Sequence, residues 1–393
     1  MKILLIAFNV PYDSVAHAGG CICDHYLKKM IADATNEVTV ISLGEEFEKE
    51  KVENQKKFDN LRYETLFKNR SFSFADRIKN IIVKTVGIAP YAGFLTNKEV
   101  AFFLSSCKKL KNQGWVPDTV ICDWTECVFL IKKIKNVFPD AKYIAVEQDV
   151  TFLRYQRIYK RTHNPLIKML RYRIYKNVLR REIASLKVCD TIKALNGKDA
   201  KLLLEYGIDE KRISVISPFY KKYNFFEPKS DSKNILFWGA MNRQENTEAA
   251  IWFIQNVLSV LPQEYKFYVI GNHPTKEILG LSGSRVVVTG FVDSLEAYLQ
   301  DALCFVVPLL QGAGIKIKIL EGFMTGIPVL TNAIGIEGIP AENQKEYLHC
   351  ELPEDYISAI ERLTEDNELC MTLGKNARTF MEATFDYEKG SYL

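Results

Sequence analysis

Short apolar runs alternate with amphipathic stretches along the whole chain, and this alternation restricts the fold more than any other feature. The expected strands of the first half are residues 2–8, 37–43, 61–67, 119–123, 143–148, 191–195 and 213–217. Those of the second half are residues 235–238, 267–270, 286–289, 304–307 and 329–331. Expected helices between them include residues 98–111, 126–137 and 246–260. Apolar strands that alternate with helices predict doubly wound α/β domains with parallel sheets.

The length of 393 residues exceeds what one hydrophobic core usually supports, so two domains are expected. A proline-containing, charged segment with little periodicity, residues 217–231, is the expected linker. We therefore expect one domain over residues 1–218 and a second over residues 219–380. Ligands of doubly wound sheets bind beyond the carboxyl ends of the strands, so two such domains facing each other would form one cleft.

Composition excludes several classes of protein. A hydrophobic content of 47% with 25% charged residues is typical of a globular protein, and a net charge of +4 does not predict a nucleic-acid partner. No apolar run reaches the length of a membrane-spanning helix, and residues 1–8 fit a buried strand better than a signal peptide. The nine cysteines lack the spacing of a zinc site. We expect reduced, mostly buried thiols, no bound metal and a cytoplasmic location.

One stretch, residues 154–187, is strongly basic, with Glu182 as its single acid. Its first reading is contact with anionic lipid headgroups or a lipid-diphosphate acceptor, at the inner face of a membrane. Its second reading is a solvated helix face with snorkelling cations. Interleaved aromatic residues suit both readings: Phe152, Tyr155, Tyr159, Tyr172 and Tyr175. The basic residues are Arg154, Arg157, Lys160, Arg161, Lys168, Arg171, Arg173, Lys176, Arg180, Arg181 and Lys187.

A glycine loop at residues 312–314 follows the strand expected at residues 304–307. Glycine lets a backbone approach a ligand closely, and the start of a following helix presents free N–H groups suited to a diphosphate. Lys316 and Lys318 add positive charge, and Glu321 lies one helical turn after Lys318, where it can bind a ribose diol. Residues 315–319 also alternate as a strand would, and an ordinary strand–loop–helix with a charged face is the plain alternative.

This segment, GAGIKIKILEG over residues 312–322, resembles the GSGTRLKILEA-type signature of family 4 retaining glycosyltransferases. Residues 235–242, 289–292, 326–329 and 334–338 resemble the same group in order and spacing. The resemblance implies the GT-B fold, with two doubly wound Rossmann-like domains facing a central cleft and a tail, residues 381–393, returning towards the first. It also implies a nucleoside-diphosphate-sugar donor, hexosyl transfer with retention, and neither metal nor cofactor, because helix dipole and cations stabilise the leaving diphosphate.

The resemblance assigns roles within the second domain. Glu321 resembles the ribose-binding glutamate, Val292 the base-contacting position, and Gly314, Ile315 and Lys316 the loop that holds the diphosphate. This sequence departs from the family pattern at the positions that contact the sugar and at those that contact the phosphates. Ala313 stands where many members carry a sugar-binding glutamate, and Ala240 and Asn246 stand near the usual arginine and lysine. The donor-binding candidates are Arg243, Val292, Gly312, Ala313, Gly314, Ile315, Lys316, Lys318 and Glu321, with the phosphate-binding cation left open.

In the first domain, Gly19 and Gly20 resemble the glycine loop that approaches the donor phosphates, or form a plain turn and helix start. Glu147 and Asp149 end a strand where many members carry a histidine near the reacting sugar, which makes them the catalytic candidates. Asp149 can equally N-cap a helix at residues 151–155. His17 and His25 lie near the glycines but are expected to be ordinary solvated or core residues.

The function that follows is transfer of a sugar to a saccharide, lipid-linked or other hydroxyl acceptor, in polysaccharide or glycoconjugate synthesis. A nucleotide-sugar epimerase of the same fold is one alternative, although the dense carboxylates and histidines it needs are not evident. A nucleotide-sugar-binding protein without catalysis is another, favoured by Ala313 and Ala240.

Overall fold

The computed structural model describes residues 1–13, 15, 18–68, 74–86 and 89–393, so His17 lies outside the described residues. The chain divides into two compact units. Unit 1 comprises Met1–Ser217 together with Lys389–Leu393, and unit 2 comprises Pro218–Glu388. The boundary expected after residue 218 thus falls one residue earlier, and only the last part of the expected tail groups with unit 1.

Unit 1 is built on a parallel sheet whose described strands follow the order β3-β2-β1-β4-β5-β6-β7. Strand β1, in the interior of the sheet, is buried along Ile3–Ala7, because helices cover both faces of the sheet. The expected strands are all present, with ends shifted by at most a few residues. Their bounds are β1 Lys2–Ala7, β2 Glu37–Glu45, β3 Leu61–Lys68, β4 Thr119–Asp123, β5 Lys142–Glu147, β6 Thr191–Ala194 and β7 Ile213–Val215.

The helices of unit 1 follow the apolar periodicity with one correction. The helix expected over residues 126–137 is two short helices, because the N–H of Leu130 bonds back three residues to Cys127 and tightens the chain there. The described helices are α1 Ala18–Ala32, α2 Lys49–Asn54, α3 Phe74–Val86, α4 Asn97–Asn112, α5 Thr125–Val128, α6 Ile131–Lys135, α7 Thr151–Lys160, α8 Pro165–Leu186 and α9 Gly197–Glu205.

Unit 2 contains a second parallel sheet, of order β10-β9-β8-β11-β12-β13. The five expected strands are present, and the short β13 was not expected because two residues carry too little pattern. The strands are β8 Asn234–Trp238, β9 Lys266–Ile270, β10 Val286–Gly290, β11 Cys304–Val307, β12 Val329–Thr331 and β13 Leu348–His349. The helices are α10 Gln244–Phe253, α11 Lys276–Leu279, α12 Glu296–Leu299, α13 Ile317–Thr325, α14 Pro353–Glu365 and α15 Asn367–Thr384.

Helix α13 resolves the conflict between the strand-like and helix-like patterns after the glycine loop. The helix begins at Ile317 and ends before Gly326, whose φ of 83° is left-handed. Only the first residues of the alternating run precede it, and its buried stripe includes Leu320 and Met324. The prediction of a helix at this position is therefore confirmed.

Two further sequence expectations concern the whole chain. Of the nine cysteines, all within the described residues, eight are buried and Cys21 is partly exposed. Among the helices that the structure describes, none is both long and apolar enough to cross a membrane.

Candidate functional site

The glycine loop of unit 2 joins the carboxyl end of β11 to the start of α13. Gly312 has φ of 139° and Gly314 has φ of 70°, conformations that other residues rarely adopt. Ile315 is half-buried between this loop and the helix. Helix α13 starts here, and the N–H of Ile319 bonds to the carbonyl of the N-cap residue Lys316 at 2.8 Å. This end of the sheet therefore carries the positive end of a helix dipole. The arrangement suits an anionic ligand.

The side chain of Lys316 bonds to backbone carbonyls of the glycine loop. Its Nζ donates to the carbonyl of Ala313 at 3.3 Å and to that of Gly314, and it lies 3.9 Å from Oε2 of Glu337. The side chains of Lys316 and Glu337 are only 11% and 9% exposed. A carboxylate therefore stands next to the loop although Ala313 itself carries none. Glu337 was not among the sequence candidates, and its only signal was its place in the family-like segment 334–338.

Lys318 points towards the start of α10 rather than into open solvent. Its Nζ donates to Oδ1 of Asn246 at 2.6 Å and lies 4.6 Å from the centre of the Phe237 ring. Burial, with a smaller contribution from the charge of Arg243, lowers the pKa of Lys318 to about 7. A Cβ at Gly239 would lie 2.7 Å from this Nζ and 2.8 Å from Nδ2 of Asn246, so a side chain there would displace this pair.

Glu321 lies one turn beyond Lys318 on α13. Protein atoms surround its side chain, which remains partly exposed to solvent. Its Oε1 accepts a hydrogen bond from the backbone N–H of Lys221 at 3.4 Å. Burial raises the pKa of Glu321 to about 7, against the opposite influence of Lys221, the Trp238 side chain and the charge of Lys318. The structure thus brings Lys318 and Glu321 together on one helix, as their spacing predicts.

Two other candidates of unit 2 lie near this edge of the sheet. Arg243 directly precedes α10, pairs with Glu245 at 2.5 Å and is more than half exposed. Val292 is half-buried in the loop after β10. Because β10 and β11 are parallel members of one sheet, Val292 lies at the same carboxyl edge as the glycine loop, with β9 and β8 between them.

In unit 1 the glycine pair is not a loop. Gly19 and Gly20 lie in the first turn of α1, so the expectation of a glycine loop is corrected to a helix start. Packing gives the reason for glycine at position 19, where a Cβ would lie 2.9 Å from the indole of Trp124. Trp124 itself has a φ of 73°, a strained conformation at the carboxyl end of β4.

Glu147 ends β5 and is 2% exposed. Thr125 donates to its Oε2 at 2.8 Å, and Thr151 lies 2.9 Å from Thr125 in the same buried group. Burial raises the pKa of Glu147 to about 8, with nearby Asp149 adding to the effect. Burial therefore favours the protonated form of this carboxyl.

Asp149 does not cap α7, whose N-cap is Val150. Its Oδ2 accepts from Arg154 at 2.6 Å, and it remains partly exposed. Glu182 of α8 satisfies the helix start instead, accepting the N–H groups of Thr151 and Phe152 at 2.9 and 2.8 Å. The single acid of the basic stretch is thus a buried structural residue, which sequence spacing did not reveal.

Asp123 was not among the sequence candidates. It ends β4, is fully buried, and accepts from Gln148 at 2.8 Å and from the hydroxyl of Tyr392 at 2.9 Å. Burial raises the pKa of Asp123 to about 6. Its place at a strand's carboxyl end is the signal that could have singled it out. Across the described ranges, no group of three or more His, Cys, Asp or Glu residues is placed to hold a metal ion.

Comparison with known proteins relates this architecture to sugar transfer. Residues 232–366 match the family model described as glycosyl transferases group 1. Sucrose-phosphate synthase from Thermosynechococcus elongatus superposes with a TM-score of 0.68 at 16% identity, over 98% of this chain and 95% of that one. HepE from Anabaena in complex with UDP-glucose gives 0.65 at 12% identity, over 99% and 96%. WaaG, a glycosyltransferase involved in lipopolysaccharide biosynthesis, gives 0.66 at 14% identity, over 97% and 96%.

An uncharacterized 44.6 kDa protein in the cps region of Klebsiella pneumoniae is 24% identical over 189 residues, which is 45% of this chain. The match covers 48% of that protein, so the chain spans about half the length of this relative. The two Rossmann-like units confirm the predicted GT-B fold. The family match is confined to residues 232–366, which lie within unit 2.

Proposed function

We propose that this chain is a retaining, hexosyl-type glycosyltransferase that moves a sugar from a nucleoside-diphosphate-sugar donor to a hydroxyl acceptor. The acceptor is a saccharide, a lipid-linked group or another hydroxyl compound. One observation carries the proposal: a glycine loop leads into a helix whose positive end, Lys318 and Glu321 lie together at one edge of the sheet. A related fold, that of HepE, holds UDP-glucose, which supports the same class of donor here.

The donor diphosphate would bind at the start of α13. The positive helix end attracts it, and Lys318 supplies a cation whose present partner, Asn246, is neutral. Charge that develops on the leaving nucleoside diphosphate is then stabilised by protein groups alone, so we propose a mechanism without metal or cofactor. Glu321 would accept two hydrogen bonds from the ribose hydroxyls.

The sugar would meet Glu337 rather than residue 313. Glu337 stands beside Lys316, whose Nζ bonds to the carbonyl of Ala313. A carboxylate anchored on that loop can accept hydrogen bonds from sugar hydroxyls, the role that the resemblance gives to the glutamate missing at Ala313. The loss of that glutamate therefore does not by itself argue for a protein without catalysis.

In unit 1, we propose Asp149 as the carboxylate that contacts the reacting sugar or acceptor, since it is partly exposed and is held by Arg154. Glu147 is buried and its pKa is raised, so we propose that it holds Thr125 and Thr151 in place beneath the surface. The two catalytic candidates would thus differ in role, with Glu147 positioning and Asp149 in contact.

The pathway proposed is polysaccharide or glycoconjugate assembly in the cytoplasm. The relative in the cps region and WaaG in lipopolysaccharide biosynthesis support it. We also propose contact between the basic stretch, residues 154–187, and the inner face of an anionic membrane. Arg171, Arg173, Lys176 and Arg180 are exposed there, while the single acid is buried.

Release of nucleoside diphosphate from a panel of donors, with acceptor present, tests the proposal. Glu321→Ala should abolish donor binding and release, whereas Glu361→Ala on the exposed side of α14 should leave both unchanged. Tight donor binding without release under any acceptor would favour a nucleotide-sugar-binding protein. Conversion of the donor to its epimer, followed by NMR, would favour an epimerase.

A further inference from the structure

The first two turns of α8 expose apolar side chains. Leu166 is 76% exposed, Met169 60%, Ile167 47% and Leu170 37%. Most surface apolar residues occur singly, whereas these four are nearly consecutive on one helix end. Such a cluster marks a surface that something else covers.

The C-terminal half of α8 packs against another helix of unit 1 with the same face. Asn177 and Arg181 donate to the last carbonyls of α3, including those of Lys84 and Thr85. Leu166 and Leu170 precede Asn177 and Arg181 by eleven residues, three helical turns, and so lie on the same face. The face of α8 that contacts α3 in its C-terminal half is therefore exposed to solvent in its first two turns.

Helix α3 also exposes apolar side chains. Ile78, Ile82 and Val86 are 44%, 56% and 59% exposed and repeat every fourth residue, so they form one stripe. The other side of α3 is docked, with Lys84 bonded to the hydroxyl of Tyr155 at 2.8 Å. An amphipathic helix fixed by its polar side thus presents its apolar side to the exterior.

Positive charge surrounds the bare end of α8. Lys160 ends α7 and Arg161 follows it, and Arg171 and Arg173 follow the apolar turns, all exposed. Glu182, the only acid of the stretch, is 0% exposed, so no carboxylate of residues 154–187 reaches this surface. Tyr172, 44% exposed, adds an amphipathic ring of the kind found at membrane interfaces.

We propose that the outer stripe of α3 and the first two turns of α8 are a membrane-anchoring face, which inserts its apolar side chains among the headgroups and upper acyl chains of an anionic phospholipid bilayer. The inference rests on the proposed membrane contact of residues 154–187 and names the side chains that enter the lipid. A second copy of the chain is a poorer occupant, because a two-fold contact would set this basic cluster against itself.

Flotation of the full chain with vesicles of phosphatidylglycerol and phosphatidylcholine tests the face. Leu166→Gln/Met169→Gln should bind at least about tenfold more weakly than the wild type, since two buried apolar side chains leave the lipid. Val260→Gln/Leu279→Gln, two exposed apolar residues of unit 2, is the matched control and should bind as the wild type does. Arg173→Gln/Arg180→Gln should weaken binding to anionic vesicles and flatten its salt dependence.

If the apolar side chains insert into the bilayer, high salt should weaken the binding of the wild type to vesicles without abolishing it. The binding that remains at high salt should be absent in Leu166→Gln/Met169→Gln. Equal binding of that variant and the wild type would overturn the proposal. So would a wild-type dimer that dissociates in the variant while vesicle binding is absent. Titration with UDP separates the two claims: all these variants should keep wild-type UDP affinity, and absent UDP binding in the wild type would count against the donor site alone.

Discussion

Nζ of Lys318 donates a 2.6 Å hydrogen bond to Oδ1 of Asn246, so a partly buried ammonium is held by a neutral amide. Because no carboxylate forms this bond, the positive charge is left available to an anion that enters the edge of the sheet. The resemblance places a lysine near position 246, and the structure fills that space with a lysine from α13 instead.

Lys318→Met should therefore weaken UDP binding about ten- to hundredfold, since one charge-assisted hydrogen bond to phosphate is lost. Calorimetric titration measures it, with Lys375→Met on the exposed side of α15 as the charge-matched control. Unchanged affinity in Lys318→Met would show that another cation, Arg243 or Lys316, meets the diphosphate.

The affinity for UDP should peak near neutral pH. Glu321 has its pKa raised to about 7 and binds ribose best when ionised, so affinity should fall as pH drops below that value. Lys318 has its pKa lowered to about 7 and binds phosphate best when charged, so affinity should also fall as pH rises. Glu321→Gln should remove the acid-side decline and Lys318→Met the alkaline-side decline in titrations across this range. A flat profile for the wild type would contradict both assignments.

Glu337 should affect the sugar more than the nucleotide. Glu337→Gln keeps the size of the side chain but loses its charge, so we expect kcat/KM for the best donor to fall about ten- to hundredfold. UDP affinity should stay within about twofold of the wild type. A parallel loss of UDP affinity would mean that Glu337 only holds Lys316 and the loop, and Lys316→Met would then have the same effect.

Glu182 should contribute to the stability of unit 1. Glu182→Ala leaves the N–H groups of Thr151 and Phe152 buried without an acceptor, which should lower the free energy of unfolding by about 2–4 kcal/mol. Urea denaturation measures the loss. Glu205→Ala, at the end of α9, should stay within about 0.5 kcal/mol of the wild type. An equally small effect at position 182 would mean that water replaces the cap.

Glu147 should make the stability of unit 1 fall as the pH rises from about 4.5 to about 8. Its native pKa is raised from 4.5 to about 8, so between these values the native state holds a proton that the unfolded state has lost. The free energy of unfolding should therefore fall as pH rises through this window, and Glu147→Gln should flatten the decline. Urea titrations at several pH values compare the two proteins. Identical slopes would show that the carboxyl is ionised in the native state.

Much of this architecture follows from the sequence because parallel strands buried on both faces are nearly continuous apolar runs. Strands such as β4 and β11 have the expected bounds, and α13 begins after its glycines as predicted. The sequence does not predict the break between α5 and α6. The break depends on the hydrogen bond from the N–H of Leu130 to the carbonyl of Cys127, and the pattern of apolar residues does not reveal that bond.

The candidate site was less predictable where partners are distant in sequence. The spacing of Lys318 and Glu321 is local and could be read directly, whereas Asn246 beside Lys318 depends on how β8 and β11 pair. Tyr392 reaches Asp123 across 269 positions, and Glu182 caps a helix 31 positions away. The sequence leaves Gly19 open between a ligand loop and a plain helix start, and the Trp124 ring that packs on it is too distant in sequence to decide between them.

The most direct measurement is a crystal structure of the chain with UDP bound. We expect the diphosphate at the first turn of α13 within hydrogen-bond distance of Lys318, and the ribose hydroxyls on Glu321. UDP bound elsewhere, or a diphosphate at this edge without a ribose contact to Glu321, would contradict the donor site proposed for residues 312–321.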